Sequence, residues 1–336
     1  MSINYFKNKT ILLTGGTGSF GKAFIHFFLQ KKIPLKKLIV FSRDELKQFD
    51  MQQIYDQKKY PHLRFFIGDV RDKERLKVAF KEVDIVVHAA ALKQVPAAEY
   101  NPMEFIKTNI IGAQNIIESA IENNVKKIIA LSTDKASSPI NLYGATKLCS
   151  DKIFISANNI VGKNNINFSV VRYGNVMGSR GSVLHQFLEQ KKRGNIFVTH
   201  PEMTRFNINL NESIEMVIWS LLNCFGGEII VPKIPSFKVV DLAKAVCDQC
   251  KIKIIGIRPG EKIHEELISS YDSRTTIDLK KYYSIVPSDL IEKYIKLKFK
   301  LVEKNFFYRS DMNSSFLNVS QLKKIIKINK LHYIFK

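Results

Sequence analysis

The sequence predicts an α/β fold: a doubly wound parallel sheet with helices on both faces, followed by a smaller α/β cap toward the C-terminal end. Three observations carry this. Short apolar runs alternate with helical stretches through the first half. Those runs are apolar throughout rather than at every second residue, as strands covered on both faces are. A glycine-rich turn joins the first run to the first helical stretch.

In order, the strands are expected at Thr10–Thr14, Lys37–Phe41, Leu63–Ile67, Asp84–His88, Lys127–Leu131 and Phe168–Arg172. Helices are expected at Phe20–Lys31, Asp44–Gln57, Asp72–Phe80 and Asn109–Asn123. After Tyr173 the regularity breaks, with helices at Asn211–Cys224, Val239–Cys250 and an amphipathic stretch at Asp289–Val302. The division is residues 1–173 for the sheet domain, 174–290 for an interleaved cap, and 291–336 for a Lys-rich segment without a readable role.

The chain has 336 residues, 52 Lys+Arg against 31 Asp+Glu and a formal net charge of +21. The lysines are dispersed in short pairs with no basic run interleaved with aromatics, so nucleic acid is not the expected partner. No apolar run approaches the roughly 18 residues of a membrane span, and the polar N-terminus is not a secretory signal. Four scattered cysteines make no disulfide framework, and a cytoplasmic setting follows. Cys247 and Cys250 are read as helix residues, and no metal site is expected.

Thr14 to Gly21 reads TGGTGSFG, with Gly15, Gly18 and Gly21 spaced as G-x-x-G-x-x-G between a strand and a helix. This is a Rossmann-like dinucleotide turn: a tight bend, close backbone approach to a pyrophosphate, and a helix N-terminus aimed at it. Thr17, Ser19 and Phe20 complete the loop. At the end of the second strand an NAD site places a carboxylate. Here Ser42 is followed by Arg43, Asp44, Glu45 and Lys47; two cations suit a 2′-phosphate, so NADP is the expected cofactor. Asp69 and Val70 fall at the adenine edge, Ala89, Ala90 and Ala91 where the backbone passes the cofactor, and Asn109 is counted with them.

Tyr143 and Lys147 are four apart and share a helix face. A neighbouring ammonium and a cationic nicotinamide favour the phenolate of a tyrosine base. Thr133, Asp134 and Lys135 follow the fifth strand, where doubly wound folds place their chemistry. Thr133 can bind the reacting oxygen. Asp134 and Lys135 supply the second acid–base pair that a dehydration needs and a simple oxidation or epimerisation does not.

Together these motifs, with HAAALKQVP (His88–Pro96), SPINLYGATK (Ser138–Lys147), RYGNVMGSRG (Arg172–Gly181) and IRPGEKIHE (Ile257–Glu265), resemble the extended short-chain dehydrogenase/reductase family. More narrowly, they are similar to its inverting UDP-N-acetylglucosamine 4,6-dehydratases, which open pseudaminic acid biosynthesis. The resemblance covers about the first 290 residues. It implies a tightly held NADP recycled each turnover, a UDP-sugar substrate and a homo-oligomer. It places Lys93, Asn175, Thr199, Arg205, Arg258 and Glu261 around the UDP-sugar, and Val176 to Arg180 near the nicotinamide. Retaining relatives carry Asp-Glu where this chain has Asp134-Lys135, and the lysine is what makes the inverting branch the similar one. A retaining dehydratase, a UDP-sugar epimerase and a non-enzymatic NADP- or nucleic-acid-binding protein are the alternatives.

Overall fold

The computed structural model describes residues 3–56, 58–162, 164–179 and 181–332; Arg180 lies outside them. Among the described residues, ten strands form one sheet. In chain order these are β1 (Thr10–Thr14), β2 (Lys37–Ser42), β3 (Leu63–Ile67), β4 (Ile85–His88), β5 (Lys127–Thr133), β6 (Asn167–Tyr173), β7 (Ile229–Pro232), β8 (Thr276–Asp278), β9 (Tyr282–Ile285) and β10 (Lys300–Leu301). Across the sheet they run β3-β2-β1-β4-β5-β6-β7-β9-β8-β10. The first seven pair in parallel and the last three antiparallel. Strand order reverses between β1 and β4, the switch point where doubly wound folds bind ligands.

The apolar runs behave as expected at the centre: β1 is buried at all five positions, and β4 at all four. At the edge the rule fails. In β3 only Leu63 is buried and Ile67 is exposed, because no strand covers its outer side. Helix α1 (Ser19–Gln30) seats Phe24 and Phe28 fully inside, each worth on the order of 2–3 kcal/mol of burial. Helices α2 (Glu45–Ile54) and α3 (Lys73–Ala79) start one residue later than read, because Asp44 and Asp72 are their N-caps.

Two expectations are corrected, and the C-terminal segment, which carried no readable role, gains a place. The helix read from Asn109 begins regularly only at Gly112, as α4 (Gly112–Glu122), after a π-helical turn over Ile106–Ile111. Asn109 is drawn inward there: its amide accepts from Leu92 N–H and donates to the Leu92 carbonyl (2.9 Å each) and to Thr146 Oγ1 (3.0 Å). The helix after Val239 stops at Val246; Cys247 takes extended backbone and is disulfide-bonded to Cys250, so neither is a helix residue or a free thiol. The C-terminal segment is part of the fold. It supplies β10, a strand Tyr308–Arg309 paired with Glu266–Ile268, and the helix Val319–His332, whose Leu322 and Ile326 enter a second core with Leu242 and Phe187.

Candidate active site

The turn after β1 is built for close approach. Gly15 has φ +66°, and a Cβ there would stand 2.8 Å from Ala90 N. Gly18 is the N-cap of α1 and brings no capping side chain of its own. Thr17 and Ser19 flank it, and Phe20 tilts its ring onto Phe24. A loop whose Cβ positions are filled by its own neighbours, leading into a helix N-terminus, fits a dinucleotide pyrophosphate. Ala89 and Ala90 press on this loop instead of lining open space: both donate their N–H to Thr14 Oγ1 at 3.2 Å. Ala91 is exposed. With two N–H groups already on its oxygen, Thr14 gives its own hydroxyl proton to His88 Nδ1 at 2.8 Å. Burial, with the Lys147 charge behind it, pushes His88 down to about 3, so the ring is neutral.

At the end of β2, Arg43 is half-exposed and pairs with Asp69 at 3.6 Å. Asp69 also accepts from the Arg71 guanidinium at 2.8 and 3.0 Å. Asp44 accepts Lys47 N–H at 3.0 Å, and its other oxygen meets the Lys47 ammonium. Its carboxylate is thus committed to the helix start, as is Glu45 in the first turn. Val70 is buried, and its carbonyl accepts from Asn115.

β5 runs two residues beyond the expected Leu131, ends at Thr133, and passes into a tight turn over Asp134–Ala136. Thr133 Oγ1 donates to Asp134 Oδ1 at 2.9 Å and accepts Lys135 N–H at 3.4 Å. Helix α5 (Leu142–Ser156) is capped by Asn141, which accepts Gly144 N–H at 2.8 Å. A Cβ on Gly144 would sit 2.2 Å from the Lys135 carbonyl, so only glycine lets this helix touch the turn. That contact brings buried Tyr143 up to Thr133 and Lys135, with buried Lys147 one turn further on. Burial raises the Tyr143 phenol to about 12, while the Lys135 charge and the Thr133 hydrogen bond oppose it. Besides Lys147, expected to help Tyr143, the Lys135 charge favours its phenolate. Burial instead pulls Lys147 down, with Asp151 one turn below resisting.

Lys135 departs most from expectation. Read as an amine base, it lies 3.0 Å from Asp134 Oδ1 and 3.0 Å from Glu265 Oε1, both buried carboxylates. Burial favours the amine, but Asp134 and Glu265 outweigh it and hold the proton on. Burial pushes Asp134 up despite Lys135, and Lys135 and Arg205 hold Glu265 down despite its own burial.

The cap residues differ in what they do. Asn175 and Val176 form a short strand beside Thr204–Ile208. Arg258 and Glu261 share an exposed loop, 3.9 Å apart, tied to the active-site helix by Asn141 donating to the Gly260 carbonyl. Desolvation, and then the Lys135 charge, push the Lys93 ammonium down. Thr199 donates to Met203 Sδ. Arg205, expected on the substrate, is a brace: it donates to the Thr204, Ile263 and Lys262 carbonyls and lies 3.7 Å from Glu265. Among the described residues no His/Cys/Asp/Glu cluster could hold a metal, and no helix could cross a membrane.

The model of the polysaccharide biosynthesis protein family matches residues 11–287. The chain belongs to that family. A UDP-N-acetylglucosamine 4,6-dehydratase (inverting) from Campylobacter jejuni is 51% identical over 96% of this chain and 98% of its own. A UDP-glucose 4-epimerase from Rickettsia akari is 42% identical over 96% of each chain. The X-ray structure of Pen from Bacillus thuringiensis superposes with TM-score 0.88 at 37% identity, over 97% of this chain and 99% of that one. This family member's site includes residues the sequence reading passed over. Glu265 was quoted in IRPGEKIHE but given no role. Asp151, which accepts from Ser132 (2.8 Å) and Arg172 (3.2 Å), was missed; its spacing of four from Lys147 was the available signal.

Proposed function

We propose that this family member is a UDP-N-acetylglucosamine 4,6-dehydratase that inverts C5, with NADP as its recycled cofactor, at the opening of pseudaminic acid biosynthesis. The observation that carries it is the pair of buried Asp134 and partly buried Lys135 beside Tyr143, an acid–base set that C4 redox chemistry alone does not require. The loop from Gly15 to Gly21 holds a nicotinamide dinucleotide's pyrophosphate, and Arg43 with Lys47 takes a 2′-phosphate. In support, the carboxylate that directly follows Arg43, Asp44, is committed to capping α2. Lys93, Asn175, Thr199, Arg258 and Glu261 hold the UDP-sugar, and Val176 and Asn109 shape the nicotinamide end. We place the protein in the cytoplasm as a homo-oligomer.

A nicotinamide held at the Gly15–Gly21 turn would supply the hydride exchange at C4 and C6. The remaining steps belong to the chain. Tyr143, with Thr133 on the same oxygen, accepts the C4 hydroxyl proton. The C4 ketone acidifies C5, and Lys135 removes that proton after passing its own to Asp134 Oδ1, 3.0 Å away. The C5–H electrons form the C4–C5 enolate and then expel the C6 hydroxyl. Asp134, which burial makes a better proton acceptor, passes the proton it has taken from Lys135 to that hydroxyl, which leaves as water. Its Oδ2 has no partner among the described residues, and a proton there has no competitor for the leaving group. Reprotonation of C5 from the opposite face inverts it.

Incubation with UDP-N-acetylglucosamine followed by proton NMR tests this. The expected product carries a 6-methyl group, a C4 ketone and inverted C5, with no net NADPH. NADPH rising in proportion to turnover refutes it. The Rickettsia akari relative favours a second reading, C4 epimerisation, in which the same spectrum shows an inverted C4 and no methyl group.

A further inference from the structure

Glu265 comes from the far side of the chain and meets Lys135 across 130 residues of sequence, yet its carboxylate is 2% exposed and reaches the ammonium at 3.0 Å. It is held from three directions. Arg205 Nε lies 3.7 Å away, its other nitrogens fixed on backbone carbonyls. The Glu265 N–H donates to Ser310 Oγ at 2.9 Å, and Ser310 also shares a 2.7 Å hydrogen bond with Thr204. Glu266, next in the strand, accepts from Ser137 and Ser138, locking that strand to the turn that carries Lys135. Glu265 Oε2 is buried without a partner among the described residues. Such anchoring of a buried charge at one lysine exceeds what a surface ion pair needs.

We propose that Glu265 is a positioning residue of the acid–base set: with Asp134 it clamps the Lys135 ammonium between two buried carboxylates and keeps it charged between turnovers. The inference deepens the dehydratase reading and rests on it only for its consequence in catalysis. The charged groups facing Lys135 are Asp134 on its own turn, Glu265, Lys262 and Arg205 from the cap, Lys93 from the loop after β4, and Tyr143 from α5. Removing Glu265's charge leaves three cations against one carboxylate, and Lys135 then releases its proton at lower pH. Bridging also fixes Nζ in place, because one N–H points to each carboxylate.

The test is competitive acetylation of Lys135 against pH, read by mass spectrometry, on NADP-loaded wild type, Glu265→Gln and Glu265→Asp. In Glu265→Gln the midpoint of labelling moves down by about 1–3 pH units, roughly ten-fold or more amine at a given pH, while Glu265→Asp stays near wild type. An unchanged midpoint in Glu265→Gln overturns the proposal. Should that variant melt out, the wild type decides: a Lys135 midpoint at or below an ordinary lysine's overturns it, one above sustains it. Solvent deuterium exchange at C5 of UDP-N-acetylglucosamine separates the two readings. If labelling shifts and the exchange profile shifts with it, both stand. If labelling shifts alone, Glu265 clamps Lys135 but Lys135 is not the C5 base.

Discussion

Acid should unfold this protein partly through one histidine. His88 is buried between Thr14 and the Phe154 ring, whose centroid is 5.6 Å away, and its Nδ1 already accepts the Thr14 hydroxyl. Its value in the fold is about 3 against 6.5 for a free histidine. Because the folded value lies below the unfolded one, the stability carried by neutral His88 is complete above 6.5 and is lost as pH falls toward 3. The unfolded chain binds a proton that the fold refuses, costing about 1.4 kcal/mol per pH unit in that window. Between about pH 7 and about pH 5 this amounts to about 1.9 kcal/mol, and it approaches about 5 kcal/mol near the bottom of the window. Urea unfolding of wild type and His88→Asn at both pH values isolates it, since asparagine can still accept from Thr14 but cannot titrate. The variant should be less stable at neutral pH, with a shallower fall toward acid by about 1.9 kcal/mol. Equal falls in the two proteins would show that His88 takes up a proton in the fold, and would refute the hydrogen-bond assignment at Thr14.

Two further outcomes concern function. Arg43→Ala should weaken NADP binding about ten-fold in titration calorimetry while NAD binding changes little, the low end expected for a half-exposed charged contact; equal losses for both would remove the 2′-phosphate role. Tyr143→Phe should lower kcat by on the order of a hundred- to ten-thousand-fold with little change in KM, and abolish transient cofactor reduction on adding substrate; normal transient reduction would remove Tyr143 as the base.

What could be read in the sequence is what depends on near neighbours. The strand runs, the Gly15–Gly21 turn and the Tyr143/Lys147 face are set by residues within about a helical turn of one another. Unreadable features depend on distant contact. Glu265 reaches Lys135 only because Glu266–Ile268 pairs with Tyr308–Arg309, which hangs on a tail with no motif. Arg205 looked like an anion ligand, and its type was informative; its target was the backbone at Lys262 and Ile263. Asn109 announced a helix start by type, but its amide was recruited by Leu92 and Thr146, and the helix deformed around it. Cys247 and Cys250 lay within one expected helix, and the extended backbone at Cys247 ended it.

Burial acts on the two members of the Tyr143/Lys147 pair in opposite senses, and that orders the chemistry. At Tyr143 it holds the proton on, and the nearest relief, the Lys135 ammonium, is shared with two carboxylates. At Lys147 it pushes the proton off, with Asp151 resisting and itself engaged by Ser132 and Arg172. The residues alone therefore keep a neutral phenol at physiological pH, and ionising it takes added positive charge within a few ångströms. A cationic nicotinamide is such a charge. At Asp134 the same burial raises the carboxyl's hold on a proton, which favours the acid that water loss needs, while the Lys135 charge opposes it. The dehydration half of the site is thus set by its own carboxylates, whereas the redox half waits on its cofactor. Altering Glu265 or Asp134 should change C5 exchange and water loss while leaving cofactor binding intact, and altering the Gly15 turn should do the reverse.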